Sequence, residues 1–314
     1  MEKKATYLLE SIKENTDIQK ENLYVYLVED EESEISDETI THFEENTTLI
    51  RGPTHIEGYH VSALHNALVE ASEISDKKYL ALLDVDIILR DDLELDELEE
   101  HELHIKPEGL GDTSFWTREE SRDEWKRLFN EFGFQFPERE MRSTVDRKLM
   151  PVPYYNSGVI VTKNNEFPKR WKKLSKKVWE ETSNYYSEMV ALAMLATEYD
   201  VNNLDEAYNY PSCLYLHVPK SVKVIHYHDL DSLYRNIALD KNLRDSIGEQ
   251  LRKDYYSLNF LEAGRICIKD SYKAYFSRRD TWRRKLVRPY IRPLAIKLGV
   301  KDYAKKIRDF FLDL

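Results

Sequence analysis

The stretch Tyr79–Leu89, YLALLDVDIIL, limits what this chain can become more than any other. Six of its residues are Leu or Ile, and neither Gly nor Pro interrupts it. Such a run predicts a buried strand of a mainly parallel sheet. Two carboxylates, Asp84 and Asp86, sit inside it, and burying bare charge is costly enough that they require a cationic partner. Strand alternation points both side chains to one side, and a kink at the strand end would let them converge on one ion. Hard oxygen ligands suit Mg2+ or Mn2+, and a diphosphate would fill the remaining coordination positions. The carboxyl edge of an open α/β sheet is also where such folds keep their ligands. The alternative is a strand end leading into a solvated acidic loop, since RDDLELDELEE follows. The three residues alone do not choose between the two.

Around this stretch the chain alternates strands and helices. Leu23–Val28 is rich in β-formers and reads as a first strand. Ser36–Asn46 reads as a helix capped by Ser36. TTLIR is a second short strand, ended by Gly52-Pro53. From Gly58 to Ile74, Val61, Leu64, Leu68 and Ala71 recur at helical spacing. This order marks an α/β nucleotide-binding layer. Further on, Ser114–Phe132 reads as an amphipathic helix and Gly133–Met150 as a long loop. PVPYYNSGVIVTKN is a strand, Phe167–Glu181 a basic helix, Tyr186–Glu198 a buried helix and Lys220–His228 a last strand.

Charged residues make up 33% of the chain and hydrophobic ones 41%, a globular rather than a disordered balance. Cys213 and Cys267 offer neither a disulfide framework nor metal-ligand spacing, which points to a reducing cytoplasm. The opening MEKKATYLLESIKEN is a charged amphipathic helix, not a leader, and no apolar run is long enough to span a bilayer. The net charge is −12, yet from Ser271 to the end thirteen Lys or Arg face four Asp. An acidic body argues against nucleic acid as a partner. The basic tail, interleaved with Trp282, Leu286, Ile291 and Phe310, suits an anionic membrane surface. The division expected is a catalytic domain over 1–265 and a tail over 266–314. The location expected is cytoplasmic, with the tail peripheral on the inner face of the membrane.

Five segments occur in one order: HVSALHNALVEA, KKYLALLDVDIIL, YYNSGVIV, YSEMVALAMLATEYDVNNLDEAYNYP and VKVIHYH. From about Leu23 to His228 the chain resembles the GT-A fold glycosyltransferases, most of all their retaining, glycogenin- and galactosyltransferase-like branch. The resemblance implies that Asp84 and Asp86 are the metal-binding acid pair, with Asp84 and Val85 also near the ribose. It implies that His226 or His228 closes the metal shell from the last strand; a lone His there would otherwise be an ordinary half-buried residue. It places Asn156 and Gly158 beside the donor sugar, where Gly permits close backbone approach; the alternative is a strand bulge. Val28, Asp30 and Arg51 fall where the family holds the base, and His60 and His65 on the helix facing the nucleotide. The implied cofactors are Mn2+ or Mg2+ and a nucleotide-diphosphate sugar, UDP-sugar foremost. The implied acceptor is a glycan, a lipid-linked sugar or a protein.

Two departures stand out. The branch carries Asp-Gln where this chain has Ser187-Glu188, which leaves Glu188 as a candidate catalytic base or an element of a helix cap. It also follows the metal His with Gly and a Lys-Pro-Trp element, where this chain has DLDSLYRN. Arg235 or Lys220 then become candidates for neutralising the diphosphate. Two other classes compete. An aspartyl-phosphate phosphohydrolase also ends a buried strand in Asp-x-Asp, but that strand ordinarily comes first in its domain. A metal-stabilised binding module tethered to membranes by the tail would bind a donor without consuming it.

Overall fold

The computed structural model describes residues 1–29, 35–93, 101–110, 122–163 and 166–278. In chain order the elements are α1 (Glu2–Asn15), β1 (Tyr24–Val28), α2 (Asp37–Asn46), β2 (Thr48–Gly52), α3 (Ala63–Ile74), β3 (Tyr79–Leu83) and β4 (Ile87–Leu89). They continue with β5 (Leu103–Pro107), α4 (Arg122–Glu131), β6 (Met141–Arg142), β7 (Leu149–Met150), β8 (Tyr155–Lys163), α5 (Phe167–Thr182) and α6 (Ser187–Leu195). The last are β9 (Val201–Asn203), β10 (Tyr210–Pro211), β11 (Val224–His226), α7 (Leu230–Leu239), α8 (Lys241–Asp245), α9 (Glu249–Ser257) and α10 (Phe260–Arg278). Local chemistry explains several starts. Ser36 accepts the Thr39 N–H at the head of α2, and Asp229 accepts that of Ser232 at the head of α7, satisfying donors that a helix N-terminus leaves open.

The architecture is mixed α/β, with helices flanking the sheets. Its strand pairing is less parallel than the apolar run suggested. Pairs β1–β2, β5–β9 and β10–β11 are parallel, whereas β3–β8, β5–β8, β4–β11 and β6–β7 are antiparallel. A continuous apolar strand signals burial on both faces, and burial does not depend on the direction of its neighbours. The run Tyr79–Leu89 is also not one strand. Its first half joins the four-stranded sheet β3-β8-β5-β9, its second half the three-stranded sheet β10-β11-β4, and Asp84–Asp86 is the turn between them.

All nine residues of α6 are buried. This helix packs with Trp171 and Val178 of α5, and with Ile160 of β8, in the largest hydrophobic cluster. Trp171 Nε1 donates to the Glu188 carbonyl, 2.9 Å away, which fixes the start of α6. α10 runs unbroken through the domain boundary expected after residue 265. Asp270 on α10 is buried against Arg235 of α7. The first part of the expected tail is therefore packed on the body. Residues 279–314, which carry most of the proposed membrane-binding pattern, lie outside the described residues, as does 114–121 of the helix expected from Ser114. No helix among the described residues is long and apolar enough to cross a membrane.

Candidate active site

The turn Asp84-Val85-Asp86 sits where the two sheets meet. Asp84 N–H donates to Gly158 O (2.9 Å), extending the β3–β8 ladder, and Tyr227 N–H donates to Asp86 O (3.0 Å), extending β4–β11. Since His226 pairs in register with Ile87, that ladder delivers His226 beside Asp86. Its Nε2 lies 3.0 Å from Asp86 Oδ1. His228 then takes a left-handed conformation, φ 60°, uncommon for a residue other than glycine. Its ring lies over that of His226 with centroids 3.9 Å apart. Ligand atoms of Asp86, His226 and His228 all fall within 4.8 Å of one another.

A chain of hydrogen bonds orients the His226 ring. Asn156 Oδ1 accepts from the Gly158 backbone N–H (3.0 Å), which fixes the orientation of that amide. Asn209 must therefore present its Nδ2 to the same oxygen (2.9 Å), and its Oδ1 faces His226 Nδ1 at 3.1 Å. An acceptor opposite Nδ1 places the ring proton there. Nε2 faces Asp86 Oδ1, a buried carboxylate oxygen, at 3.0 Å. The donor set, one carboxylate and two imidazoles with Asp84 alongside, can hold a divalent metal ion. At the far end of the chain of bonds, Asn156 Nδ2 donates to Glu108 Oε2 (3.2 Å).

Gly158 is required by the same histidine. A Cβ at this position would lie 2.3 Å from His226 Cε1 and 2.6 Å from Nδ1. The electrostatics point the same way. Burial first, and then the charge of Asp86, raise the Asp84 carboxyl above its ordinary pKa, because two adjacent carboxylates resist ionising together. Asp84 Oδ1 accepts the N–H of Val85 (2.8 Å).

A cavity of about 1130 Å³ opens from this turn between β1, β3, α1 and α3. Val28, His60, Asp84, Val85, Asp86 and His228 line it, as expected, together with Lys4 and Tyr185. Other expected residues stand elsewhere. Arg51 is exposed on β2, 2.8 Å from Glu44, and does not line the cavity. His65 does not line the cavity. It is fully buried, edge-on to Trp171 at 4.4 Å, and burial depresses it to about 3; helical spacing placed it on α3 but not on the face turned toward α5. Asp30 lies outside the described residues. Asn156 and Gly158 touch the His226 network, so their amides and close approach serve the histidine.

Glu188 differs most from expectation. Its carboxyl is buried, shares a hydrogen bond with the Tyr59 hydroxyl, and does not line the cavity. The Tyr59 ring stacks on Trp179 at 4.3 Å, and its hydroxyl also reaches Tyr185 O (2.7 Å). One hydroxyl proton cannot serve two acceptors, so the geometry calls for a proton on Glu188. Burial raises this carboxyl to about 7. Arg235 is equally removed. It pairs with Asp270 and donates to the carbonyls of Ser212 and Tyr215, both at 2.7 Å. Lys220 is exposed and away from the cavity. Lys4, Asn209, Glu108 and Tyr59 carry no local sequence signal; only the ladder and the packing bring them to the site.

Residues 1–194 match the family model described as the Rhodobacterales glycosyltransferase domain. No curated protein matches the chain. Among solved structures it is similar to the galactosyltransferase LgtC in complex with donor and acceptor sugar analogs, at 15% identity and TM-score 0.49, over 80% of this chain and 96% of that one. Apo mouse xyloside xylosyltransferase 1 is similar at 13% identity and TM-score 0.40, over 71% and 91%. The glycosyltransferase GlyE of Streptococcus pneumoniae TIGR4 is similar at 16% identity and TM-score 0.42, over 84% and 59%. The family match spans more than half of the chain and includes Asp84, Asp86, Asn156 and Gly158; the chain belongs to the Rhodobacterales glycosyltransferase domain family and is a glycosyltransferase.

Proposed function

We propose that this glycosyltransferase is metal-dependent. It moves a sugar from a nucleotide-diphosphate sugar, with UDP-sugar as the favoured donor, to a glycan, lipid-linked or protein acceptor. The observation that carries the reading is the convergence of ligand atoms of Asp86, His226 and His228 within 4.8 Å of one another, beside Asp84 at the cavity wall. Asp86, His226 and His228 would hold Mn2+ or Mg2+, with Asp84 beside them. When bound, the dication supplies charge that offsets the diphosphate. Asn209 and Asn156 hold the His226 ring in its orientation at the site. Val28 and His60 line the cavity wall where the nucleoside would rest.

In the transfer, the C1–O bond of the donor breaks and its electron pair stays on the diphosphate. The acceptor oxygen forms the new C1–O bond and gives up its proton. Retention of configuration is favoured, because it needs no strong base opposite the leaving group. The one carboxyl that the sequence offered as a base, Glu188, is kept behind Tyr59. The test is mass spectrometry of nucleoside diphosphate released from a panel of sugar nucleotides, with and without Mn2+. Wild type should release one diphosphate only with metal present, and Asp86→Asn, still folded, should release none. Full release from Asp86→Asn or from chelator-treated wild type would refute the metal role.

A further inference from the structure

Lys4, on the first turn of α1, reaches the acid pair from the opposite end of the chain. Its Nζ is 3.3 Å from Asp86 Oδ2 and 2.7 Å from the His228 carbonyl oxygen, and 5.6 Å from the centroid of the Tyr227 ring. The helix is held independently of this contact. Tyr7, Leu9 and Ile12 are buried, Ser11 Oγ accepts the Leu89 N–H (3.0 Å), and Asn15 Nδ2 donates to the Leu89 carbonyl (3.0 Å). Leu89 is in the strand that leaves the Asp84–Asp86 turn, so α1 is clamped to the same strand as the acids and carries Lys4 in register with them. Lys4 lines the cavity together with Asp84, Asp86 and Tyr185, while the cavity's other lysines, Lys77 and Lys78, stand at the far end of β3. Arg235, Lys220 and Arg51 point elsewhere.

Resting on the glycosyl-transfer reading above, we propose that Lys4 is the cation that receives the departing diphosphate. An ammonium has three N–H donors; two are engaged by Asp86 and His228, and the third is left for a phosphate oxygen. When the C1–O bond breaks, its electron pair adds one negative charge to the diphosphate, beside this ammonium. The acceptor oxygen closes the new bond and its proton goes to solvent. A compact charge that hydrogen-bonds a phosphate oxygen at such a point contributes most as that charge grows. None of the described Lys or Arg residues after His228 lines the cavity, so among the described residues this charge comes from the N-terminal helix.

The test uses calorimetric titration of the full chain and its Lys4→Met and Lys4→Arg variants. Mn2+ is titrated alone; then, in Mn2+-saturated protein, whichever of UDP, GDP or ADP wild type binds best, and its monophosphate. Lys4→Met should bind Mn2+ at least as tightly as wild type does and still lose roughly 10- to 100-fold in diphosphate affinity. Monophosphate affinity should change little, and Lys4→Arg should recover most of the loss. Unchanged diphosphate affinity in Lys4→Met overturns the proposal. So does tighter Mn2+ binding with diphosphate affinity unaltered, which would make Lys4 a plug that the metal displaces. Absence of Mn2+-dependent diphosphate binding in wild type overturns the transfer reading itself, and the Lys4 proposal with it.

Discussion

Arg235 and Asp86 are both charged residues drawn in from distant parts of the chain, and their surroundings differ. Around Arg235 the charges balance: Asp270 pairs with it, and the Ser212 and Tyr215 carbonyls take further N–H groups in a fully buried setting. Around Asp86 a second carboxylate, two imidazoles and one ammonium converge at the wall of a large cavity. Both residues were plausible site residues in sequence. Burial alone does not separate structural from functional charge; the balance of partners and access to the cavity do.

The comparison breaks first at Arg235. Arg235→Met leaves Asp270 as an uncompensated buried charge and should cost about 3–5 kcal/mol of stability, read by urea unfolding. The double variant Arg235→Met/Asp270→Leu should recover much of that. Asp86→Asn gives up its pairing with His226 and Lys4 but relieves repulsion with Asp84, and should cost less than Arg235→Met. If Arg235→Met were as stable as wild type and inactive, Arg235 would belong to the chemistry.

Glu188 gives the next largest effect. Its folded pKa of about 7 stands above the ordinary value of 4.5, so the native state holds a proton that the unfolded chain releases over that range. Stability is full below pH 4.5 and falls as pH rises toward 7, by about 3 kcal/mol in all. Glu188→Gln keeps the shape without the charge and should lose this fall, so its stability difference from wild type should widen between pH 5 and pH 8. A constant difference across that range would mean that Glu188 is ionised in the native state.

The smallest effects sharpen the account of His226. Asn209→Ala removes the acceptor that keeps the proton on Nδ1, and Gly158→Ala forces a methyl group against the ring. Each should weaken Mn2+ binding by roughly 10- to 100-fold, with the protein still folded as judged by circular dichroism. Wild-type affinity in Asn209→Ala would remove the relay from the account.

Much of this was legible because it is local. The Ser36 cap, the β-rich Leu23–Val28, the apolar Tyr186–Glu198 and the acids of Asp84–Asp86 each announce themselves within a few residues. The order of segments also carried the family. Strand direction was not legible, since β3 and β4 are equally apolar whichever way their neighbours run. Nor was the side of α3 on which His65 falls, because both α5 and the cavity border that helix. The Asn209–Asn156 relay and Lys4 depend on a register, His226 opposite Ile87, that no short motif encodes.

The account rests on a dication held by Asp86, His226 and His228, and Mn2+ titration followed by electron paramagnetic resonance tests it most directly. Wild type should bind one Mn2+ in the absence of nucleotide, and Asp86→Asn and His226→Ala should each weaken it by more than the roughly 10- to 100-fold that outer-shell changes cost. Equal Mn2+ binding by wild type and both variants would contradict the account.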